Sequence, residues 1–201
     1  MAYGLEFDGV DDDGVFPTAY SPTTSISCRG VLSYPNITAK SFAFGKDSSF
    51  RSDRQGLEFL TDGSIEFGGG STNKISNNLN SFSEGDFLSF EYTHDGTTET
   101  LTIEGSTVSR ASSTLSHDIQ RLGSSGSQDR YAGIIREFEI DIDGVAVVEM
   151  TTAQSTGNTS WENLIGSNAA LSNFPANNSQ WVFYSSGAVI VAPTTIASAE
   201  S

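Results

Sequence analysis

The chain has 201 residues, enough for one sizeable core and within the range of a single β-sandwich. Its 25 acidic against 10 basic residues give a formal charge of −15, which repels phosphate backbones and anionic bilayers and excludes nucleic acid and membrane as expected partners. The 13 Phe and 6 Tyr outnumber the 2 Met and 2 Trp, and no capped helical period appears, so the chain reads as many short strands joined by tight turns. The lone Cys28 cannot form an internal disulfide, and the opening Met1 to Phe7 carries neither the basic nor the apolar region of a signal peptide. Synthesis in a cytoplasm is the expectation.

In chain order, Leu5-Glu6-Phe7 alternates and stops at Asp8-Gly9, and Phe42 to Gly45 is a short apolar run. Leu57 to Leu60, Asp62-Gly63 and Ile65 to Phe67 spell a hairpin ending in three glycines that precede no helix and so form no phosphate cradle. Phe87 to Tyr92, His94-Asp95-Gly96 and Thr100 to Ile103 spell a second. The strongest strand, Gly133 to Ile142, meets Asp143-Gly144 and continues as Val145 to Val148. Residues 151–180 are rich in Thr, Ser, Asn and Gly, an ordered excursion with Trp161 and Leu164 as anchors, and Trp181 to Tyr184 is a late strand. The apolar Val189, Ile190 and Val191 precede Pro193, where strand pairing stops. This tail is either a last strand of the chain's own sheet or a strand lent to a neighbour.

Three groups of residues carry potential chemistry. Glu139-Ile140-Asp141-Ile142-Asp143 places carboxylates at alternating positions of one strand, as the active-site strand of sandwich-fold glucanases does. Here, however, the last carboxylate is Asp, Gly144 follows it, and Phe138, Ile140 and Ile142 form the opposite face, so an ordinary half-buried strand ending in a turn is the preferred reading. Asp11, Asp12 and Asp13 are candidate ligands for a hard cation such as Ca2+, without the spacing of an EF-hand loop; no cofactor is otherwise expected. His94 and His117 are too few and too widely spaced in the chain for a zinc site.

The opening Phe7-Asp8-Gly9-Val10-Asp11-Asp12, the hairpin Tyr92-Thr93-His94-Asp95-Gly96 with Leu101 to Gly105, and Leu122-Gly123 followed by Tyr131 to Ile140 together resemble the laminin-G-like, concanavalin A-like superfamily. That resemblance implies an all-β, two-sheet antiparallel jelly-roll sandwich over residues 1–185; 186–201 is left as a C-terminal tail, an interaction arm under the second of the two readings above. Asn173-Phe174-Pro175 and Asn178 to Tyr184 resemble such domains on phage and bacterial surface proteins. The expected function is a non-enzymatic virion component, a capsid decoration or fibre-type protein made in the host cytoplasm, which associates with itself and other virion proteins, with Val189, Ile190 and Val191 as contacts. The alternatives are a carbohydrate-binding module of an adhesin, with a glycan as partner, and a divergent glucanase using Glu139.

Overall fold

The structure is a computed structural model that describes residues 2–46, 55–69, 73–78, 82–113, 115, 117–124, 129–150, 160–175, 179–185 and 188–189. Among these, every regular element is a strand and every strand pair is antiparallel. The strands form two sheets. The larger runs β10 (Ser106–Ala111), β9 (Thr98–Ile103), β8 (Phe87–His94), β3 (Ile26–Ser33), β12 (Ala132–Ile142), β1 (Ala2–Asp8), β16 (Trp181–Ser185), β17 (Ala188–Val189), with β13 (Val145–Met150) on the far half of β12. The smaller runs β14 (Ser160–Trp161), β15 (Ala169–Ser172), β2 (Asp13–Tyr20), β11 (Ile119–Leu122), β4 (Ser41–Gly45), β5 (Gln55–Phe59), β6 (Ile65–Gly69), β7 (Asn73–Asn77). This is the expected two-sheet antiparallel jelly-roll sandwich.

Alternation builds the core. On β8, Leu88, Phe90, Tyr92 and His94 are buried while Ser89 and Glu91 are exposed, so the strand divides its residues between the two faces. Across the gap, Phe44 meets Phe138 at 4.7 Å and Phe90 at 5.3 Å between ring centroids, and Phe67 stacks on Tyr92 at 3.6 Å. Each such pair adds about 0.5–1.5 kcal/mol beyond its burial. Gly30 occupies an inward position of β3 where a Cβ would stand 2.1 Å from the Glu137 carbonyl and 3.0 Å from the Phe90 ring, so only glycine lets β12 and Phe90 close in.

The Asp143-Gly144 turn is where the sequence places it. Asp143 (φ 52°) and Gly144 (φ 79°) join β12 to β13 in a two-residue loop with both φ positive. The Asp143 carboxylate accepts from the backbone N–H of Thr23, Thr24 and Ser25 and from the hydroxyls of Thr23 and Thr24, which hold it well below the usual carboxylate range. Of the two anchors expected in 151–180, Trp161 is buried edge-to-face against Trp181, whereas Leu164 is 48% exposed and anchors nothing: its N–H bonds Glu149, but its side chain points to solvent. In the tail, Val189 pairs with Tyr184 in the β16–β17 hairpin, while Ile190 and Val191 lie outside the described residues.

Candidate binding face

The outer face of the larger sheet is organised in cross-strand rows. Register sets Glu139 opposite Arg29, Arg29 opposite Glu91, Glu91 opposite Thr102 and Thr102 opposite Thr107. One step along lie Asp141, Ser27, Thr93, Thr100 and Ser109. Because side chains alternate, all of these point away from the core. The Thr102–Thr107 and Thr100–Ser109 hydroxyl pairs, at 3.0 and 3.1 Å, tie the β9 and β10 ends of the rows together.

Arg29 is the hub. Its guanidinium donates to Glu139 at 2.5 Å and to Asp141 at 3.3 Å, and the Glu139 bond is the chief cause that holds it protonated beyond the ordinary arginine range. Around it opens a depression of about 320 Å³ lined by Arg29, Val31, Ser89, Glu91, Thr102, Glu137 and Glu139, with Gly30 and Phe90 as its floor. That volume lies at the small end for ligand sites. The Ser89 N–H and hydroxyl both bond the Glu104 carboxylate, and outside the depression the Arg136 guanidinium lies over the Phe87 ring at 5.2 Å.

Such a surface supplies carboxylate acceptors, hydroxyls of either polarity and one guanidinium donor, all in one plane. It matches a neutral polyhydroxylated ligand and repels an anionic one, because Arg29 stands among Glu91, Glu137, Glu139 and Asp141.

The structure brings Glu139 and Asp141 together on this face and removes Asp143 to the turn, so the Glu-x-Asp-x-Asp row loses its third member. One guanidinium also occupies the space between the two remaining carboxylates. No scissile bond lies between them unless Arg29 is displaced. Arg29, Glu91 and Thr102 are the residues that the sequence reading missed: each sits in a strand of plain alternation, and only the register of β3 against β8 and β12 assembles them.

The acidic run splits. Asp11 and Asp12 stay in the β1–β2 loop and are joined by Asp8, with one ligand oxygen from each within 4.8 Å of the others. Asp13 does not join them. It begins β2, where it pairs with Arg121 and accepts from the Ser124 hydroxyl at 3.1 Å. The two histidines, far apart in the chain, are neighbours in the core, with ring centroids 5.9 Å apart. His117 Nε2 lies 3.3 Å from the Tyr92 hydroxyl, which donates to Glu99 at 3.1 Å, and Glu99 in turn pairs with Arg110.

No protein-family model matches the chain, and no curated protein matches it. Solved structures do. A candidate carbohydrate binding protein from Bacteroides ovatus superposes with a TM-score of 0.65 at 9% identity, over 86% of this chain and 58% of that one. Domains LG4-5 of the mouse laminin alpha1 chain superpose with a TM-score of 0.55 at 16% identity, over 70% of this chain and 41% of that one. The chain thus spans little more than half the length of the first and less than half of the second. At these identities the likeness is one of fold: the chain shares the two-sheet jelly-roll sandwich of these structures.

Proposed function

We propose that this chain is a non-catalytic carbohydrate-binding module whose glycan lies across the outer face of the larger sheet, over Arg29. The observation that carries the reading is the coplanar row Glu139–Arg29–Glu91–Thr102 opening into the depression. Ring hydroxyls of a neutral sugar exchange hydrogen bonds with carboxylates and Arg29 at little cost, since these groups are already solvated, and Val31 offers an apolar patch to a C–H face. The name of the Bacteroides ovatus neighbour supports the same class of ligand. The test is a screen of neutral oligosaccharides by glycan array and calorimetry, repeated with Arg29→Ala. Binding that falls at least tenfold in the variant supports the site; equal binding by the variant, or no binding to any neutral glycan, overturns it. Hydrolysis of β-glucans that disappears in Glu139→Gln would instead make the face catalytic.

A second reading, a virion component held by its C-terminal segment, is favoured by β17, which closes the order of the larger sheet among the described residues and offers an outer edge for strand addition. Truncation before Ser186 is then expected to leave a folded but assembly-defective chain. If that truncated chain unfolds as a monomer, the segment is an internal strand and the reading fails.

A further inference from the structure

We infer that the β1–β2 loop binds one divalent cation, Ca2+ by preference, through the carboxylates of Asp8, Asp11 and Asp12. Two independent observations lead there. First, one carboxylate oxygen from each residue lies within 4.8 Å of the other two. Ligands held 2.3–2.6 Å from a common Ca2+ stand at most about 5 Å apart, so one ion bridges this set as it stands, and Ca2+ tolerates irregular oxygen geometry where Mg2+ demands a near-ideal octahedron.

Second, Asp12 is only 4% exposed, yet its Oδ1 is buried without a hydrogen-bond partner, while its other oxygen accepts from the Asp8 N–H at 2.8 Å. A solvated acidic turn leaves no such atom. A carboxylate oxygen withdrawn from water and given no donor is destabilising by more than a neutral group would be, and a cation is the partner that removes the penalty. Among the described residues no Lys or Arg makes an ion pair with any of the three carboxylates.

The loop is also held so that carboxylates, not carbonyls, remain to serve. Arg130 donates to the carbonyls of Asp11 and Asp12 at 3.1 and 3.0 Å, and the Asn173 amide to that of Asp11 at 2.8 Å.

The experiment uses the full chain stripped with chelator, then titrated with CaCl2 and with MgCl2 by calorimetry and by thermal unfolding. One Ca2+ per chain is expected, with a melting temperature raised by roughly 5 °C at about a hundredfold excess over Kd and a weaker response to Mg2+. Asp11→Asn, at an exposed position, is expected to abolish both signals while melting no lower than the metal-free parent, because it removes repulsion. Asp12→Asn should raise the metal-free melting temperature. The absence of heat and of any shift up to on the order of 10 mM Ca2+ overturns the site, as does an undiminished Ca2+ response in Asp11→Asn.

Discussion

Two arginine–carboxylate clusters lie on opposite faces of the larger sheet, and the same ingredients lead to different ends. On the outer face Arg29 is 47% exposed and Glu139 35%, so both are open to solvent. On the inner face Glu99 is fully buried beneath Arg110, Tyr92 donates to it, and His117 packs against Tyr92. Burial pushes the Tyr92 hydroxyl far above its ordinary range, with Glu99 adding to the shift, and depresses His117 to about 4. The inner cluster is committed to the fold, since Glu99, Tyr92 and His117 are buried and the bonds among them cannot be exchanged for water without opening the core. The outer one has solvent competing for every bond, which is what a ligand face requires. Residues of β8 and β9 serve both: Glu91 and Thr102 face out, Tyr92 and Glu99 face in.

The largest expected effect breaks the inner cluster. Arg110→Ala strands the Glu99 carboxylate and should lower stability in urea by about 3 kcal/mol, the low end for a broken buried pair because Arg110 itself is 34% exposed. Replacing both partners, Arg110→Met with Glu99→Leu, should recover most of that loss. A cost under about 1 kcal/mol for Arg110→Ala would erase the contrast between the faces.

The inner cluster also predicts a pH dependence. His117 titrates near 4 in the fold against 6.5 unperturbed, so the unfolded chain takes the proton first as pH falls. The contribution of neutral His117 is whole above about pH 6.5 and is lost progressively towards pH 4, up to about 3 kcal/mol. Asp12 acts with the opposite sign: its folded carboxyl, raised from 3.8 to about 6, adds stability as pH falls through that interval. The measurement is therefore the difference between the parent and His117→Gln, in chelator, at pH 7 and pH 4.5, in which Asp12 cancels. An equal acid loss in both proteins would remove His117 from the account.

Strands that alternate or flank an Asp-Gly turn are plain in the sequence: β1, β5, β6, β8, β9, β12 and β13 are read from those signals alone. β3 is not, because Gly30 interrupts its inward series Ile26, Cys28, Leu32, and the missing volume is supplied by Phe90 of the next strand. β10 is not, because at the sheet edge Ser106 to Ala111 is polar on both faces and its apolar signal falls to Val108. The candidate site suffers more. Glu139 and Asp141 are visible as a row, but Arg29 is joined to them only by pairing across a chain separation of 110 residues. Asp8, a member of the acidic set, reads in the sequence as part of a turn. The signal was there: an Asp immediately before Gly9, three and four residues ahead of Asp11 and Asp12.

The smallest expected effect tests the outer cluster, and it is informative because it is small. Arg29→Ala should change stability in 0.15 M salt by about 1 kcal/mol or less, since both ion pairs are exposed and each partner can be solvated in its place. Two terms of the same sign make up that figure. The pair with Glu139 is lost, and Glu91, Glu137, Glu139 and Asp141 are left on one face without their cation. Repulsion among exposed carboxylates is screened over about 10 Å at 0.1 M, so the destabilisation should grow in low salt and shrink in 0.5 M NaCl. A double-mutant cycle with Glu139→Gln separates the terms. Its coupling energy should stay within the range of about 0.2–1 kcal/mol measured for exposed pairs, well below that of the Arg110–Glu99 cycle. Equal costs for Arg29→Ala and Arg110→Ala would mean that Arg29 is committed to the fold like its inner counterpart. The outer face would then have no arginine to exchange for a glycan, and the proposed binding site would lose its physical basis.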